Sequence, residues 1–529
     1  MTEYVPFGHQ KSVLKRMRTH DKFLLCHSMG TGKTITALLH AKWLIEKKKL
    51  RHVHVIAPVK VVDQWRYHVH RLQKQITVSE NKYTIDVSTY HTGLKALLYD
   101  REEKERKSTM LIVDEAHNFR FRRIRVKKGE RWQDYKRTSK TCKLVKIARK
   151  RADKVLLLTG TPVSNRMNDI TAQLYVLNGI GINPNNHQNA VRMFKTPFPE
   201  LHSTKKMGLS ERNERQLFRS ALEKISFFRS SVSSDMDIPS VKTKVVILEM
   251  PIGYFGDYAV VETTDENFIG NKLVEGFSDI SYLERKTNFF YSRLRKASNT
   301  MKCSSSLSLP SSSPKEEWVA RRLSQWLVRD SREKVVLYSH FISHGVNPLK
   351  TILFKQGIKF EEVVGLSNER RVYNAVADFN AGVVRVMVMS SSAAEGLDLK
   401  GVTRVVLMEP YWNNARINQV VARTARYDPA RERLSDGSLK KIRAYILVLR
   451  KPVESVLEEE SVHDVCAFTR LKIKCGYHGD EDDDTFIEEI LQRPSADEIL
   501  LKICEKKERW IEDEFFELLR TRCVDLPPV

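Results

Sequence analysis

The 529-residue sequence predicts an α/β protein of two lobes, each built on a parallel sheet, followed by a small, mainly helical C-terminal tail. Three observations predict it: two separate groups of short, unbroken apolar runs, a glycine-rich loop directly behind the first run, and a Ser/Pro-rich connector between the groups. Unbroken apolar runs bounded by turn residues mark strands buried on both faces, the habit of parallel sheets, and the stretches between them are long enough for crossover helices. The first group is 23–26, 53–57, 110–113 and 155–158, and the second is 335–338, 383–389, 405–408 and 445–449. Residues 1–250 are therefore expected to form the first lobe, 251–314 an insertion and connector, 315–450 the second lobe, and 451–529 an acidic, then helical extension.

The connector is placed by CSSSLSLPSSSP at 303–314, whose composition suits an exposed, flexible link. The extension carries GDEDDD at 479–484 and then a helical segment opened by a capping box, Ser495 with Glu498. Ile499, Leu500, Ile503, Trp510 and Ile511 are spaced to bury one face of that segment, so it is expected to pack on a lobe or on a partner. No period of about 20 to 50 residues recurs, which excludes a solenoid.

Composition narrows the functional class. Hydrophobic residues make up 41% and charged residues 29%, which excludes a wholly disordered chain. Ninety Lys and Arg against 65 Asp and Glu leave a net charge of +25, a balance that favours an anionic polymer, nucleic acid first, as partner. No apolar run approaches the roughly 20 residues of a membrane-spanning helix, and MTEYVPFGHQ lacks the pattern of a secretory signal, so a soluble, intracellular protein is expected. The seven cysteines, at 26, 142, 303, 466, 475, 504 and 523, are scattered and never spaced C-x-x-C, as expected of reduced thiols. Cys466 and Cys475 with His463 and His478 fit no common zinc spacing.

The chemistry-bearing motif is FLLCHSMGTGKT at 23–34, a buried strand running directly into Met29, Gly30, Thr31, Gly32, Lys33 and Thr34, with a helical pattern behind it. Glycines let backbone N–H groups close around phosphate oxygens, and the helix N-terminus adds partial positive charge. Lys33 would neutralise the β and γ phosphates of ATP and the Thr34 hydroxyl would ligate Mg²⁺. The eight-residue form of this motif starts with glycine, and His27 stands there instead. About eighty residues on, the apolar run LIV ends in Asp114, Glu115, Ala116 and His117, placing acidic groups at the carboxyl end of a buried parallel strand, where active sites of open α/β sheets lie. Asp114 would hold Mg²⁺ through water, and Glu115 would take a proton from the attacking water.

With MGTGKT, VDEAH and then LLLTGTPVSN at 156–165, the chain resembles the superfamily 2 helicase-type ATPases, and its TGTP form is similar to the Swi/Snf-type branch of DNA translocases. The likeness spans residues 5–450: VIAPVKVVDQW at 55–65, ISFFRSSVSSDMDIPSVKTKVV at 225–246, YSRLRKASN at 291–299, KVVLYSHF at 334–341, SSSAAEGLDL at 390–399 and PYWNNARINQVVARTARY at 410–427 follow in family order. The resemblance implies tandem RecA-like P-loop lobes, an adenine-reading Gln10 beside His9, and a coupling role for His117, Thr159 and Thr161 between nucleotide and nucleic acid. It also implies that Gly396 and Asp398 help form the nucleotide site between the lobes. Gln419, Arg423 and Arg426 stand at i, i+4 and i+7, one face of a helix, and the two arginines are then arginine fingers. The run SSSAAEGLDL lacks the family's Gly-Gly-x-Gly, and ARTARYDP replaces its usual ending. The short interlobe insertion makes the chain more similar to the nucleoside triphosphatase I and early transcription factor ATPases of large DNA viruses, with RNA polymerase or other transcription proteins as expected partners, and a virion or the host cytoplasm or nucleus as the expected location.

Beyond the DEAH motif, Arg120, Arg122, Arg123, Arg125, Lys127, Lys128 and Arg131 crowd together with Phe119, Phe121 and Trp132, a composition that suits a nucleic-acid backbone as well as a solvated loop. DNA is favoured over RNA. The readings to weigh are a DNA-dependent ATPase that translocates, a non-catalytic promoter- or polymerase-binding subunit on the same scaffold, and a metabolic P-loop kinase. The last leaves the Gln419, Arg423 and Arg426 helix unused, and the second leaves Lys33, Asp114 and Glu115 intact without purpose.

Overall fold

The unbroken apolar runs form the interior of two six-stranded, all-parallel sheets. The computed structural model describes residues 4–77, 83–93, 108–119, 124–128, 131–135, 144–145, 147–149, 152–163, 167–178, 220–228, 239–264, 292–301, 313–365, 369–390, 397–411, 414–425, 433, 439–452 and 491–511. The chain divides into two units, Met1–Asp237 with Arg509–Val529, and Ile238–Glu508.

In the first unit the strands are β1 (Lys22–His27), β2 (His52–Ala57), β3 (Thr84–Thr89), β4 (Thr109–Val113), the antiparallel hairpin β5 (Ile124–Lys128) and β6 (Arg131–Tyr135), β7 (Lys154–Thr159) and β8 (Ile225–Phe228). The sheet order is β3-β2-β4-β7-β1-β8. Its helices include α1 (Gly8–Met17), α2 (Lys33–Glu46), α3 (Val62–Gln73) and α4 (Thr171–Asn178). Successive strand residues face opposite sides, so Phe23 and Leu25 enter one core with Leu38 and Leu44 of α2 and Trp65 of α3, while Leu24 enters the other with Leu111, Val113 and Phe119. Each such side chain, fully buried, contributes about 1.5–3 kcal/mol.

The second unit has β9 (Val241–Glu249), α5 (Ile252–Thr264), α6 (Ser292–Asn299), α7 (Pro314–Arg329), β10 (Val335–Ser339), α8 (Asn347–Lys355), β11 (Phe360–Val363), α9 (Glu369–Ala381), β12 (Val386–Ser390), β13 (Arg404–Leu407), α10 (Asn414–Thr424), β14 (Ile442–Arg450) and α11 (Ala496–Trp510). Its sheet order is β11-β12-β10-β13-β14-β9.

The expected boundaries need correction. Residues 241–249, assigned by sequence to the first lobe, pair with β14 along their whole length as an edge strand of the second sheet. Alternation with exposed lysine and threonine had hidden the strand. Helices α5 and α6, expected in an insertion, share one core with α11, expected in an extension, through Tyr254, Phe255, Leu294, Ile499 and Ile503. All three are parts of the second unit because their apolar faces pack on one another and on Leu449 of β14 and Met250 beside β9. The capping box holds: Ser495 Oγ accepts from Glu498 N at 3.2 Å, and Glu498 Oε2 accepts from Ser495 N at 2.9 Å.

Polar side chains bind these pieces together. Lys315 is fully buried, and its Nζ lies 2.5 Å from Asp497 Oδ2 while donating to Asn299 Oδ1 at 3.0 Å and to the Met408 carbonyl at 2.7 Å. Asn299 donates in turn to Glu409 at 2.7 Å, whose carboxyl burial raises above the usual carboxylate range. Of the cysteines, Cys26 and Cys504 are buried, and the other five lie outside the described residues, as do the acidic run 479–484 and most of the connector. No described helix is long and apolar enough to cross a membrane, and no cluster of metal-ligating side chains occurs among the described residues.

Two outcomes are expected. Asp497→Ala leaves the Lys315 ammonium buried without its counter-charge, and denaturant unfolding should report a loss of about 3–5 kcal/mol. His40 on α2 is buried, which together with Lys154 and Arg18 lowers its pKa to about 4. An unfolded histidine titrates near ~6.5, so its contribution is present above that pH and lost as pH falls through about 4. Melting temperature should fall over that window, and less so in His40→Met.

Candidate active site

Parallel register brings the ends of four strands to one edge. Cys26 lies opposite Thr159, Val113 opposite Leu157 and Ile56, so the segments following β1, β2, β4 and β7 emerge together. The loop after β1 turns through Gly30 and Gly32 at φ 82° and 78°, left-handed values that glycine adopts freely, and α2 begins at Lys33 with its N–H groups facing the loop. Lys33 Nζ donates to the carbonyls of His27 and Ser28 at 2.9 and 3.1 Å. A Cβ on Gly160, in the loop after β7, would lie 3.6 Å from that ammonium and 3.2 Å from Met29.

The His27 departure is absorbed by packing. Its ring is 1% exposed and shares a 2.7 Å hydrogen bond with Ser226 of β8, while burial drives its pKa far down and keeps it neutral. Only its carbonyl faces the loop. His9 stacks on Phe228 at 4.2 Å and bonds the Thr31 carbonyl at 3.0 Å. Gln10, expected at adenine, accepts from Phe7 N at 2.9 Å and donates to the Gly32 carbonyl at 3.2 Å, bracing the loop from behind.

Asp114 is the most constrained group at this edge. Its Oδ2 accepts from Trp65 Nε1 at 2.8 Å and its Oδ1 from Glu115 N at 2.9 Å. Burial, then the Glu115 charge, raises its pKa, and the Trp65 bond and Lys33 oppose the rise. Glu115 sits at φ 50°, ψ 50°, a left-handed backbone that costs a side-chain-bearing residue about 1–2 kcal/mol. Tyr90 holds it there, donating to the Asp114 carbonyl at 2.6 Å and lying 3.0 Å from that of Glu115. Burial keeps the phenol protonated. Glu115 Oε2 lies 3.2 Å from His117 Nδ1, which is 3.2 Å from Thr159 Oγ1 and 3.4 Å from Thr161 Oγ1. The acidic motif and the TGTP motif thus meet at one imidazole nitrogen, His117 Nδ1, which lies at ion-pair distance from Glu115 and within hydrogen-bond reach of the two threonine hydroxyls.

Sequence reasoning gave Trp65 no role, although it ends a quoted motif, and missed Tyr90, at the end of edge strand β3, for which no local signal exists. In the second unit α10 carries Gln419 and Arg423, and Arg423 is 9% exposed with its Nε buried and without a hydrogen-bond partner among the described residues. Asp398 is exposed, and its carbonyl accepts from Asn380 at 2.9 Å. Arg426, Gly396, Arg120, Arg122 and Arg123 lie outside the described residues; Arg125, Lys127 and Lys128 fall on β5, whose side chains are outside the description too.

The donor set of the first unit suits a nucleoside triphosphate with a divalent cation. A glycine loop at a helix N-terminus and a lysine answer phosphate charge, Thr34 and Asp114 offer hard oxygens, and Glu115 offers a base. Together with a second parallel-sheet unit, this defines the class of tandem RecA-like P-loop ATPases.

Comparison with known proteins narrows the class. Residues 3–164 match the type III restriction enzyme res subunit model and residues 318–428 the helicase conserved C-terminal domain. The chain is 26% identical over 427 residues to a protein of Acanthamoeba polyphaga mimivirus, L538, named as an inferred ATP-dependent RNA helicase, covering 79% of this chain and 84% of that one. It is 22% identical over 464 residues to the chromatin remodeling factor mit1 of Schizosaccharomyces pombe, covering 83% of this chain and 30% of mit1. Over 100 residues it is 34% identical to a termination factor NPH-I homolog of African swine fever virus, covering 18% of this chain and 14% of that protein. The chain belongs to the superfamily 2 helicase-type ATPases and is a nucleic-acid-dependent ATP hydrolase.

Tyr90→Phe should lower kcat for ATP by about 10- to 100-fold while KM stays within about twofold, because the phenol fixes the main chain of Asp114 and Glu115. An unchanged melting temperature separates this from partial unfolding, which would also lower the apparent kcat at constant KM by reducing the active fraction.

Proposed function

We propose that the protein is a DNA-dependent ATPase that couples hydrolysis of ATP·Mg²⁺ to movement along DNA in the transcription or genome handling of a large DNA virus. The observation that carries this reading is the meeting of Glu115, Thr159 and Thr161 at His117 Nδ1, a link between the hydrolytic base and the TGTP segment. In a motor it transmits whether the γ phosphate is present. A metabolic kinase would leave the helix carrying Gln419 and Arg423 in the second unit unused.

The residues divide the work. Gly30, Gly32 and Lys33 bind the phosphates, Thr34 and Asp114 hold Mg²⁺, and Glu115 accepts the proton of the attacking water. When bound, Mg²⁺ supplies polarisation of the β and γ phosphate oxygens. Arg423 and Arg426, with Gln419, supply positive charge to the transferring phosphoryl group, a contribution of roughly 10³ to 10⁵ in rate for such arginines. Gln10 and His9 secure the loop, and Gln10 reads adenine by exchanging one of its carbonyl partners for the base. Asp398 and Gly396 complete the second unit's share of the nucleotide contacts.

A viral transcription role, with RNA polymerase or associated factors as partners, is supported by the stretch shared with the NPH-I homolog, and DNA as the track by the same stretch and by mit1. RNA is a second reading, supported by the name of the mimivirus relative.

The test is ATP hydrolysis with no polymer, duplex DNA, single-stranded DNA and RNA. Duplex DNA should stimulate most; stimulation by RNA alone would replace DNA with RNA in this reading. Lys33→Ala should abolish turnover, and Glu115→Gln should bind ATP normally yet hydrolyse it at least about 100-fold more slowly. A Glu115→Gln enzyme working at the wild-type rate would remove the base assignment.

A further inference from the structure

The second unit carries a groove that none of the motifs explains. It lies at the amino ends of the strands, where β9, β13 and β14 begin, whereas nucleotide chemistry in such sheets belongs to the carboxyl ends. The groove has a volume of about 1200 Å³, and nine Lys and Arg side chains line it against two carboxylates, Asp330 and Glu333.

Both carboxylates are already engaged. Glu333 takes Arg404 through two bonds, at 2.8 and 3.1 Å, and Asp330 lies 3.6 Å from Lys440 and accepts from Arg332. Lys242, Lys244, Arg329, Lys441 and Arg443 are exposed and have no ion-pair partner among the described residues. Register makes the arrangement costly. Arg443 pairs with Arg404 on one side and Lys242 on the other, a row of three cations across neighbouring strands spaced about 4.8 Å apart. Like charges directly opposite one another destabilise a sheet.

Lysines on an edge strand deter edge-to-edge pairing, and that accounts for Lys242 and Lys244 on β9. It does not account for Arg443 on the inner strand β14 or for Arg329 on α7. The floor is rigid: Trp326 stacks on Tyr445 at 5.3 Å, and Arg404 lies over Trp326 at 4.6 Å. Trp318 and Trp326 are only 5% and 8% exposed, and half-buried Tyr445 is stacked on Trp326, so the aromatic rings of the floor are engaged with one another. The groove therefore offers repeated point charges and no base-reading surface, which suits a run of phosphates.

We propose that this amino-end groove of the second unit is an additional nucleic-acid contact, gripping backbone phosphates without regard to sequence. The choice of nucleic acid over an acidic polypeptide rests on the nucleic-acid dependence of the ATPase: a polymer engaged by the motor meets a second, weak contact at high effective concentration, which lengthens residence between cycles.

The experiment measures binding of the whole protein to a fluorescent duplex of about 40 base pairs between roughly 50 and 200 mM salt. The triple variant Lys242→Gln, Lys244→Gln, Arg443→Gln should bind roughly tenfold or more weakly at about 100 mM salt, with the log–log salt slope flatter by about 2 to 3, at ~0.9 per lost phosphate contact. The charge-preserving set Lys242→Arg, Lys244→Arg, Arg443→Lys should keep both values and melt with the wild type, and the triple glutamine variant, relieved of the like-charge row, should melt no lower. A triple variant that binds and titrates with salt like the wild type overturns the proposal. So does one that loses polyglutamate binding while keeping duplex binding, which would assign the groove to an acidic polypeptide. A wild-type ATPase indifferent to every nucleic acid overturns the functional reading and this proposal with it; stimulation of the wild type with an unaltered triple variant overturns this proposal alone.

Discussion

The parallel alignment of β1, β2, β4 and β7 is the constraint on which the candidate site depends. Parallel strands all deliver their carboxyl ends to one edge, so a lysine at residue 33, an aspartate at residue 114 and a threonine at residue 159 become neighbours without any local sequence relation. That convergence concentrates charge in a buried place. Asp114 is tolerable there because an indole N–H and a backbone N–H are fixed on its oxygens in advance. Preorganised donors of this kind do not have to reorient during reaction, which is the basis of electrostatic catalysis.

Local irregularities at the site are matched by specific neighbours. The glycine missing from the start of the phosphate loop is replaced by a histidine whose ring turns into the core to meet Ser226, so the loop sees only main chain. Glu115 occupies a left-handed conformation because two carbonyls beside it are tied to one phenol from an edge strand. In both cases the restraint comes from residues far away in sequence, the reason neither could be read from a motif.

The same contrast separates what sequence revealed from what it did not. The eight apolar runs identified from sequence are the four interior strands of each sheet, where burial on both faces demands continuous hydrophobicity. The four strands of these two sheets that escaped notice, β3, β8, β9 and β11, are the sheet edges, and the separate hairpin β5–β6 escaped notice as well. β3, β9 and β11 are half-exposed and mixed in composition, and β8 is only four residues long. Missing β9 is what displaced the lobe boundary. Phosphate loop and acidic motif were legible because their chemistry is local, whereas Trp65 and Tyr90 act across the fold.

The pairing of Lys315 with Asp497 has a consequence for how the polypeptide is made. These residues, and the core shared by α5, α6 and α11, join segments that leave the ribosome far apart in time. Until residue 497 emerges, the lysine of the nascent second unit lacks the carboxylate that makes its interior position tenable. The first sheet can close during synthesis, but the second must wait for nearly all of its own length, holding unfinished apolar surface that a chaperone would have to shield.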